Sequence, residues 1–265
     1  MSEGKMKEAV LITGASAGIG YDLAELFAQE KRDLVIAARN EKKLTEIAAE
    51  FQKKYGTEVH VLGIDLSVPG SSKKVIEFTK SKGLFIETLV NNAGFGTNGE
   101  FAKNSMKDEM EMLQLNITSL AELTKLFLED MISNKKGHIL NVASTAAFQP
   151  GPYMSGYYAS KAFVLHFSEG LSEEVRDYGV SVSILCPGPV KTQFQERAGM
   201  HDAALVKGPL LVDSRDVAKT AYKGLKKGKL IIIPGFMNWL LVQSVRFSPR
   251  FAVRKIAKYL NKVPA

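Results

Sequence analysis

Thr13-Gly14-Ala15-Ser16-Ala17-Gly18-Ile19-Gly20 lies between the apolar run Ala9–Ile12 and a segment, Tyr21–Glu30, with the apolar spacing of a helix. Three glycines therefore sit where a strand turns into a helix. Without a Cβ the backbone can bend sharply, lie close to a pyrophosphate and aim helix N–H groups at its charge. The spacing Gly-x-x-x-Gly-x-Gly differs from the commoner Gly-x-Gly-x-x-Gly. It also lacks the Gly-Lys-Ser/Thr of a phosphate loop, which disfavours an NTPase. Tight turns that bind nothing also hold glycines; the position after the first strand is what favours a dinucleotide.

Outward from this turn, apolar runs rich in β-branched residues recur at Leu34–Ala37, Val59–Ile64, Thr88–Val90, His138–Val142, Val180–Leu185 and Leu230–Ile233. Segments of helical periodicity separate them, so the pattern is alternating β/α. Runs such as Val10-Leu11-Ile12 are apolar on both faces, as strands covered by helices on both sides of a parallel sheet must be. A doubly wound, Rossmann-like α/β sheet is expected, with ligands at the carboxyl ends of the strands. In 265 residues there is no repeat and no linker long enough to divide the chain. We expect a dinucleotide-binding and catalytic domain over 1–234 and a basic amphipathic helical tail over 235–265.

The composition, 45% hydrophobic and 24% charged, is that of a globular enzyme. Cys186 is the single cysteine, so no intrachain disulfide forms, and no Cys/His cluster has zinc spacing. The charged start lacks a secretory pattern and no apolar run reaches the roughly 18 to 20 residues of a membrane span. A cytoplasmic protein is expected. The net charge of +7 is unevenly placed: 11 Lys or Arg follow Asp216, the last acidic residue. A basic end on a mildly acidic body argues for a surface role of the tail and against nucleic-acid binding.

The second strand ends Ala37-Ala38-Arg39-Asn40, where a free ribose 2′-hydroxyl would usually meet a carboxylate. Ala38 cannot accept that bond, whereas Arg39 can bind a 2′-phosphate, with Ser16 as a further donor. NADP(H) is therefore the expected cofactor. In the alternative, Arg39 is merely solvated and Asn40 a helix N-cap.

The chemical end centres on Tyr157-Tyr158-Ala159-Ser160-Lys161. Residues four apart share a helix face, so a Lys161 ammonium can favour the Tyr157 phenolate and make the pair a general acid/base. Tyr158 points about 100° away and is assigned to packing or the pocket wall. Ser144, thirteen residues before Tyr157 at a strand end, can donate to a substrate carbonyl. Asn116 lies within a helical segment, a poor place for a side chain that competes with backbone hydrogen bonds.

Taken together, Thr13-Gly14-x-x-x-Gly18-x-Gly20, Asn91-Asn92-Ala93-Gly94, Ser144 with Tyr157-x-x-x-Lys161, and Pro187-Gly188 resemble the short-chain dehydrogenase/reductase family over roughly residues 6–234. The resemblance implies a strand order 3-2-1-4-5-6-7 with a C-terminal helical extension. It implies cofactor contacts from Gly14, Ser16, Gly18, Ile19 and Gly20, from Asp65 and Leu66 at the adenine, and from Asn92, Ala93 and Gly94. Pro187, Gly188, Val190 and Thr192 would lie by the nicotinamide. Tyr157 and Lys161 would hold its ribose, and Asn116 a water that relays protons to Lys161. The implied reaction is hydride transfer between nicotinamide C4 and a carbonyl carbon, with Ser144 and Tyr157 polarising the oxygen and no metal. A homodimer or homotetramer is implied. The alternative is a non-catalytic NADP(H)-binding regulator or scaffold, since fold alone does not establish turnover.

Phe95, Phe148, Met154, Phe194 and Met200 fall in loops expected to rim the site, favouring an apolar ketone, aldehyde or 3-oxoacyl substrate. Beyond Ile233 two short helices broken near Pro249 are expected, covering the pocket, packing against a second subunit or touching an anionic membrane. His60, His138, His166 and His201 show no metal-like spacing.

Overall fold

The computed structural model describes residues 6–192, 194, 198–199 and 211–262. The first half alternates strictly: β1 (Lys7–Thr13), α1 (Gly18–Gln29), β2 (Asp33–Ala38), α2 (Glu41–Tyr55), β3 (Val59–Gly63), α3 (Ser71–Ser81) and β4 (Leu84–Asn91). Then follow α4 (Met106–Leu113), α5 (Leu120–Ser133), β5 (Gly137–Val142), α6 (Ser155–Val175) and β6 (Val180–Leu185). Short strands β7 (Val190–Lys191) and β8 (Val212–Asp213) pair with each other; α7 (Ser214–Lys226) and β9 (Ile231–Ile232) close the sheet. The parallel sheet has the order β3-β2-β1-β4-β5-β6-β9, so β9 is the seventh strand expected at Leu230–Ile233.

Alternation within a strand feeds two separate layers. Leu11 packs with Leu89, Ile139 and Met112, whereas Val10 and Ile12 pack on the other face with Leu23, Leu34 and Phe51. Successive strand side chains point to opposite faces, so a run apolar throughout is one that helices must cover twice. β4 begins four residues before the expected Thr88. Glu87 does not end it, because its buried carboxylate accepts from Arg32 and from Thr88 Oγ1 (3.0 Å). A register shift between Ala9 and Val10 accommodates the added length against β1.

The helical segment after β4 is not uniform. One π-helical stretch, Gln114–Ser119, joins α4 to α5 and carries Asn116. Such stretches widen a helix by one residue per turn and re-aim the side chains on them.

Polar groups tie the layers together beneath the site. Asn91 Nδ2 donates to Asn141 Oδ1 (2.9 Å) and to Thr124 Oγ1 (3.1 Å), and Asn141 Nδ2 donates to Ser168 Oγ (2.9 Å). These four residues from β4, β5, α5 and α6 are all buried. A buried polar group that loses its partner costs about 1–3 kcal/mol, and Asn141→Ala strands groups on both sides. We expect a loss of roughly 2–4 kcal/mol, on the basis of that penalty, read as a lower urea midpoint with an unchanged denaturant slope.

Beyond the sheet, α8 (Phe236–Phe247) and α9 (Arg250–Asn261) flank Ser248-Pro249, where two helices broken near Pro249 are expected. No helix among the described residues is long and apolar enough to cross a membrane.

Candidate active site

The end of β1 fixes one half of the site. Thr13 Oγ1 donates to Val90 O (3.3 Å) and accepts from the N–H groups of Asn92 and Ala93, each at 3.0 Å. Asn92 Nδ2 donates in turn to the carbonyls of Thr13 (2.9 Å) and Gly14 (3.2 Å). Gly14 stands at φ +67°, where a Cβ would lie 2.9 Å from Ala93 Cα. Gly20 is a packing glycine: its Cβ would lie 2.3 Å from Gly14 O, and unlike Gly14, Ser16, Gly18 and Ile19 it does not line the cleft. Ala17 gives α1 no side-chain cap, so the first N–H groups of that helix open on the cleft uncapped.

The cleft, about 1010 Å³, runs along the carboxyl ends of the strands. Its lining brings together Arg39, Asp65, Leu66, Asn92, Ala93 and Gly94 with Ser144, Tyr157, Lys161, Pro187, Gly188, Val190 and Thr192. Arg39 is exposed at one end and forms no salt bridge with a described residue. Asn40 is an N-cap, its Oδ1 accepting from Lys43 N (3.0 Å), so that half of the alternative reading holds while Arg39 still faces the cleft. Asp65 Oδ1 caps its own turn through Ser67 N (2.9 Å) and Ser67 Oγ (2.7 Å). Thr192 lies over the glycine turn, its Cγ2 being 2.9 Å from where a Gly18 Cβ would stand.

At the opposite end the first turns of α6 present Tyr157 and Lys161. Tyr157 and Ser144 both line this end of the cleft; Ser144 Oγ donates to Pro187 O (3.4 Å) and accepts from Ala146 N (3.1 Å). Lys161 Nζ donates to Val142 O (2.8 Å) and lies 5.8 Å from the centre of the Tyr157 ring. Burial pushes the phenol above its ordinary range, and Ser144 only partly offsets this. Burial also pulls the Lys161 ammonium down to about 8. The lowering of the tyrosine expected from the lysine does not appear in the chain by itself, where burial is the largest influence on each group. Tyr157 is held as an acid.

Asn116 does not line the cleft. From the π turn its Oδ1 accepts from Phe95 N (3.2 Å), and its Nδ2 donates to Phe95 O (2.9 Å) and Ser160 Oγ (3.1 Å). A Cβ on Gly94 would stand 3.0 Å from Asn116 Oδ1 and 3.4 Å from Lys161 Nζ, so all three converge.

The substrate end departs in part from expectation. Phe95, Met154 and Phe194 line the cleft, and Phe194 packs on Tyr157 at 5.2 Å between ring centres. Phe148 lines a second, neighbouring cavity instead, because the short helical turn Thr145–Phe148 directs it away. Met200 and His201 lie outside the described residues. Two residues of the tail that the sequence reading did not single out, Asn261 and Asn238, matter here. Asn261, fully buried at the end of α9, accepts from Tyr158 Oη (3.1 Å) and donates to Pro152 O (3.1 Å). Asn98 donates to Asn261 O (2.9 Å). Asn238 is buried against Gly188, where a Cβ would meet its Oδ1 at 2.4 Å. Both are asparagines amid apolar and basic residues, the one signal by which the sequence marked them. Cys186 is buried, its thiol pushed up to about 12 by desolvation, as suits a small core residue.

Comparison with known proteins places this geometry. The short chain dehydrogenase family matches over residues 8–202. Mouse (Mus musculus) 17-beta-hydroxysteroid dehydrogenase type 3 is 36% identical over 190 residues, 71% of this chain and 61% of that protein. The very-long-chain 3-oxoacyl-CoA reductase of Anas platyrhynchos is 33% identical over 70% of this chain and 61% of its own. The chain therefore spans about three-fifths of the length of these curated relatives. A short-chain dehydrogenase from Sphingobium yanoikuyae, solved in complex with NADPH, superposes with a TM-score of 0.81 at 32% identity, covering 91% of this chain and 94% of that one. The chain belongs to the short-chain dehydrogenase/reductase family.

Asn261 pins Tyr158 and the loop at Pro152 beside Tyr157. Asn261→Ala removes two side-chain hydrogen bonds worth about 1 kcal/mol each. The expected result is a KM for carbonyl substrate raised by roughly tenfold, on the same basis, with kcat changed far less, measured by steady-state reduction kinetics.

Proposed function

We propose that this chain is an NADPH-linked carbonyl reductase acting on an apolar ketone, aldehyde or 3-oxoacyl substrate. The observation that carries this reading is the meeting of Ser144, Tyr157 and Lys161 at one end of a cleft whose other end holds Arg39. Bare glycine backbone at Gly14 and Gly18, with the uncapped start of α1, fits a pyrophosphate. Arg39, without a carboxylate partner among the described residues, fits a ribose 2′-phosphate, and Ser16 lies in the same lining. The NADPH complex of the Sphingobium relative supports that choice, as the two curated relatives support a hydrophobic carbonyl substrate.

NADPH, when bound, supplies the hydride. Ser144 and Tyr157 donate hydrogen bonds to the carbonyl oxygen and polarise it. Tyr157 then gives that oxygen its proton, the phenol being held in its acid form by burial. Lys161, protonated, steadies the phenolate left behind and binds the nicotinamide ribose. Asn116 holds the Phe95 loop and Ser160 in place around Lys161 and is assigned a role in carrying the replacement proton through water. Phe95, Met154 and Phe194 give the substrate end its apolar wall.

NADPH and NADH oxidation across a panel of ketones, aldehydes and 3-oxoacyl thioesters tests the proposal. Tyr157→Phe is expected to abolish turnover while leaving NADPH binding intact. Arg39→Ala is expected to lower kcat/KM for NADPH by roughly 10- to 150-fold, the equivalent of about 1.5–3 kcal/mol for hydrogen bonds to a charged group, and to leave NADH kinetics nearly unchanged. A chain that binds NADPH yet turns over nothing in the panel is a regulator or scaffold instead.

The pH profile follows from Lys161. Its ammonium titrates near 8 in the folded chain and at 10.5 when unfolded. Between these values the folded chain has released a proton that the unfolded chain keeps, so this group's penalty on stability eases as pH rises through about 8. Function runs the other way: kcat/KM for NADPH, which reports the free enzyme, is expected to decline about tenfold per pH unit above about 8. A flat profile to pH 10 would remove Lys161 from its assigned role.

A further inference from the structure

Helix α8 is inside out for a helix packed on a protein. The face it buries carries Asn238 and Val242, while Phe236, Met237, Trp239, Leu240, Leu241 and Phe247 are exposed, Phe236 at 75% and Phe247 at 87%. Helix α9 buries Val253, Ala257 and Asn261 at i, i+4 and i+8 and leaves Phe251, Ile256 and Tyr259 outside. An apolar surface of this extent is not scatter; it marks something that covers it.

The charges around it say what. Arg246, Arg250, Arg254, Lys255, Lys258 and Lys262 form no salt bridge with a described residue, and no acidic residue follows Asp216. Elsewhere on the surface Lys54, Lys136 and Lys226 each meet a carboxylate. A second copy of this chain docking by the same face would set six cations against six, which opposes association. An interface offering apolar depth beneath a layer of negative phosphates satisfies both features at once.

We propose that α8 and α9 together seat the protein on an anionic lipid bilayer, with the mouth of the cleft beside it. The helices are fixed for this by their two asparagines. Asn238 packs at Gly188 in the cleft wall, and Asn261 holds Tyr158 and Pro152 at the substrate end. A docked molecule therefore presents its apolar substrate end next to the phase in which hydrophobic carbonyl compounds collect. The docking itself does not depend on what the substrate is.

Trp239 is the chain's single tryptophan, 46% exposed and stacked on Phe236, and so reports directly on this surface. The full chain is mixed with vesicles of phosphatidylcholine alone or of phosphatidylcholine with phosphatidylglycerol. With the anionic vesicles we expect a blue shift of Trp239 emission, quenching by brominated acyl chains and co-flotation. Partitioning should fall by tenfold or more on neutral vesicles and at 1 M salt, where the screening length shrinks from about 10 Å at 0.1 M to about 3 Å. Phe247→Asp/Phe251→Asp and, separately, Arg246→Glu/Lys255→Glu should each lose flotation while keeping the melting temperature and the turnover of a water-soluble ketone. Absence of both shift and flotation overturns the proposal, as does equal binding to neutral vesicles. A blue shift without lipid that grows with protein concentration, accompanied by dimer in sedimentation, gives this face to a second copy and overturns it as well.

Discussion

Between the ends of β1 and β4 there is no room for a side chain. Gly14 lies against Ala93, Gly20 lies against the carbonyl of Gly14, and Thr13 and Asn92 stitch the two strand ends together through hydrogen bonds of 2.9–3.3 Å. Most other features of the site depend on this approach. It bares the backbone of the glycine turn and opens the start of α1 on the cleft. Because β4 also pairs with β5, the same clamp sets where Ser144 emerges, two residues beyond β5, and hence where α6 must deliver Tyr157. Close approach of backbones is a steric demand, met only where the chain carries no Cβ.

At the other end of the cleft, desolvation sets the chemistry. Tyr157 and Lys161 are buried in the same pocket, and burial works against each group's charged form. A phenol held protonated is suited to give a proton to a carbonyl oxygen. Lysine keeps a partner in the carbonyl of Val142, so its ammonium is weakened rather than abandoned. Binding of an anionic cofactor nearby is the natural counterweight, since negative charge favours the ammonium. Structural bracing is correspondingly dense: Asn116 spans the Phe95 loop and α6 from a π turn, and Asn91 and Asn141 link the strands to the helices beneath.

The tail is part of the substrate end rather than an appendage to it. Its attachment is narrow, one buried stripe on each helix, yet both stripes carry an asparagine that reaches the cleft wall. Narrow attachment leaves the remaining faces of α8 and α9 to solvent, and those faces hold exposed apolar residues and basic residues that form no salt bridge with a described residue.

Periodicity and motif spacing were enough to read the sheet, its two-sided burial, the glycine turn and the Ser144, Tyr157 and Lys161 set, because each rests on local rules: two residues per strand repeat, four between neighbours on a helix face, no Cβ at a tight turn. What spacing does not encode is where distant segments meet. The salt bridge that lets β4 pass through Glu87, the direction of Phe148, the packing role of Gly20 and the clamps at Asn238 and Asn261 all depend on partners far along the chain. Protonation belongs to the same class. The sequence places a lysine four residues from a tyrosine, but only the folded interior decides how far burial disfavours the charged form of each and leaves the phenol an acid.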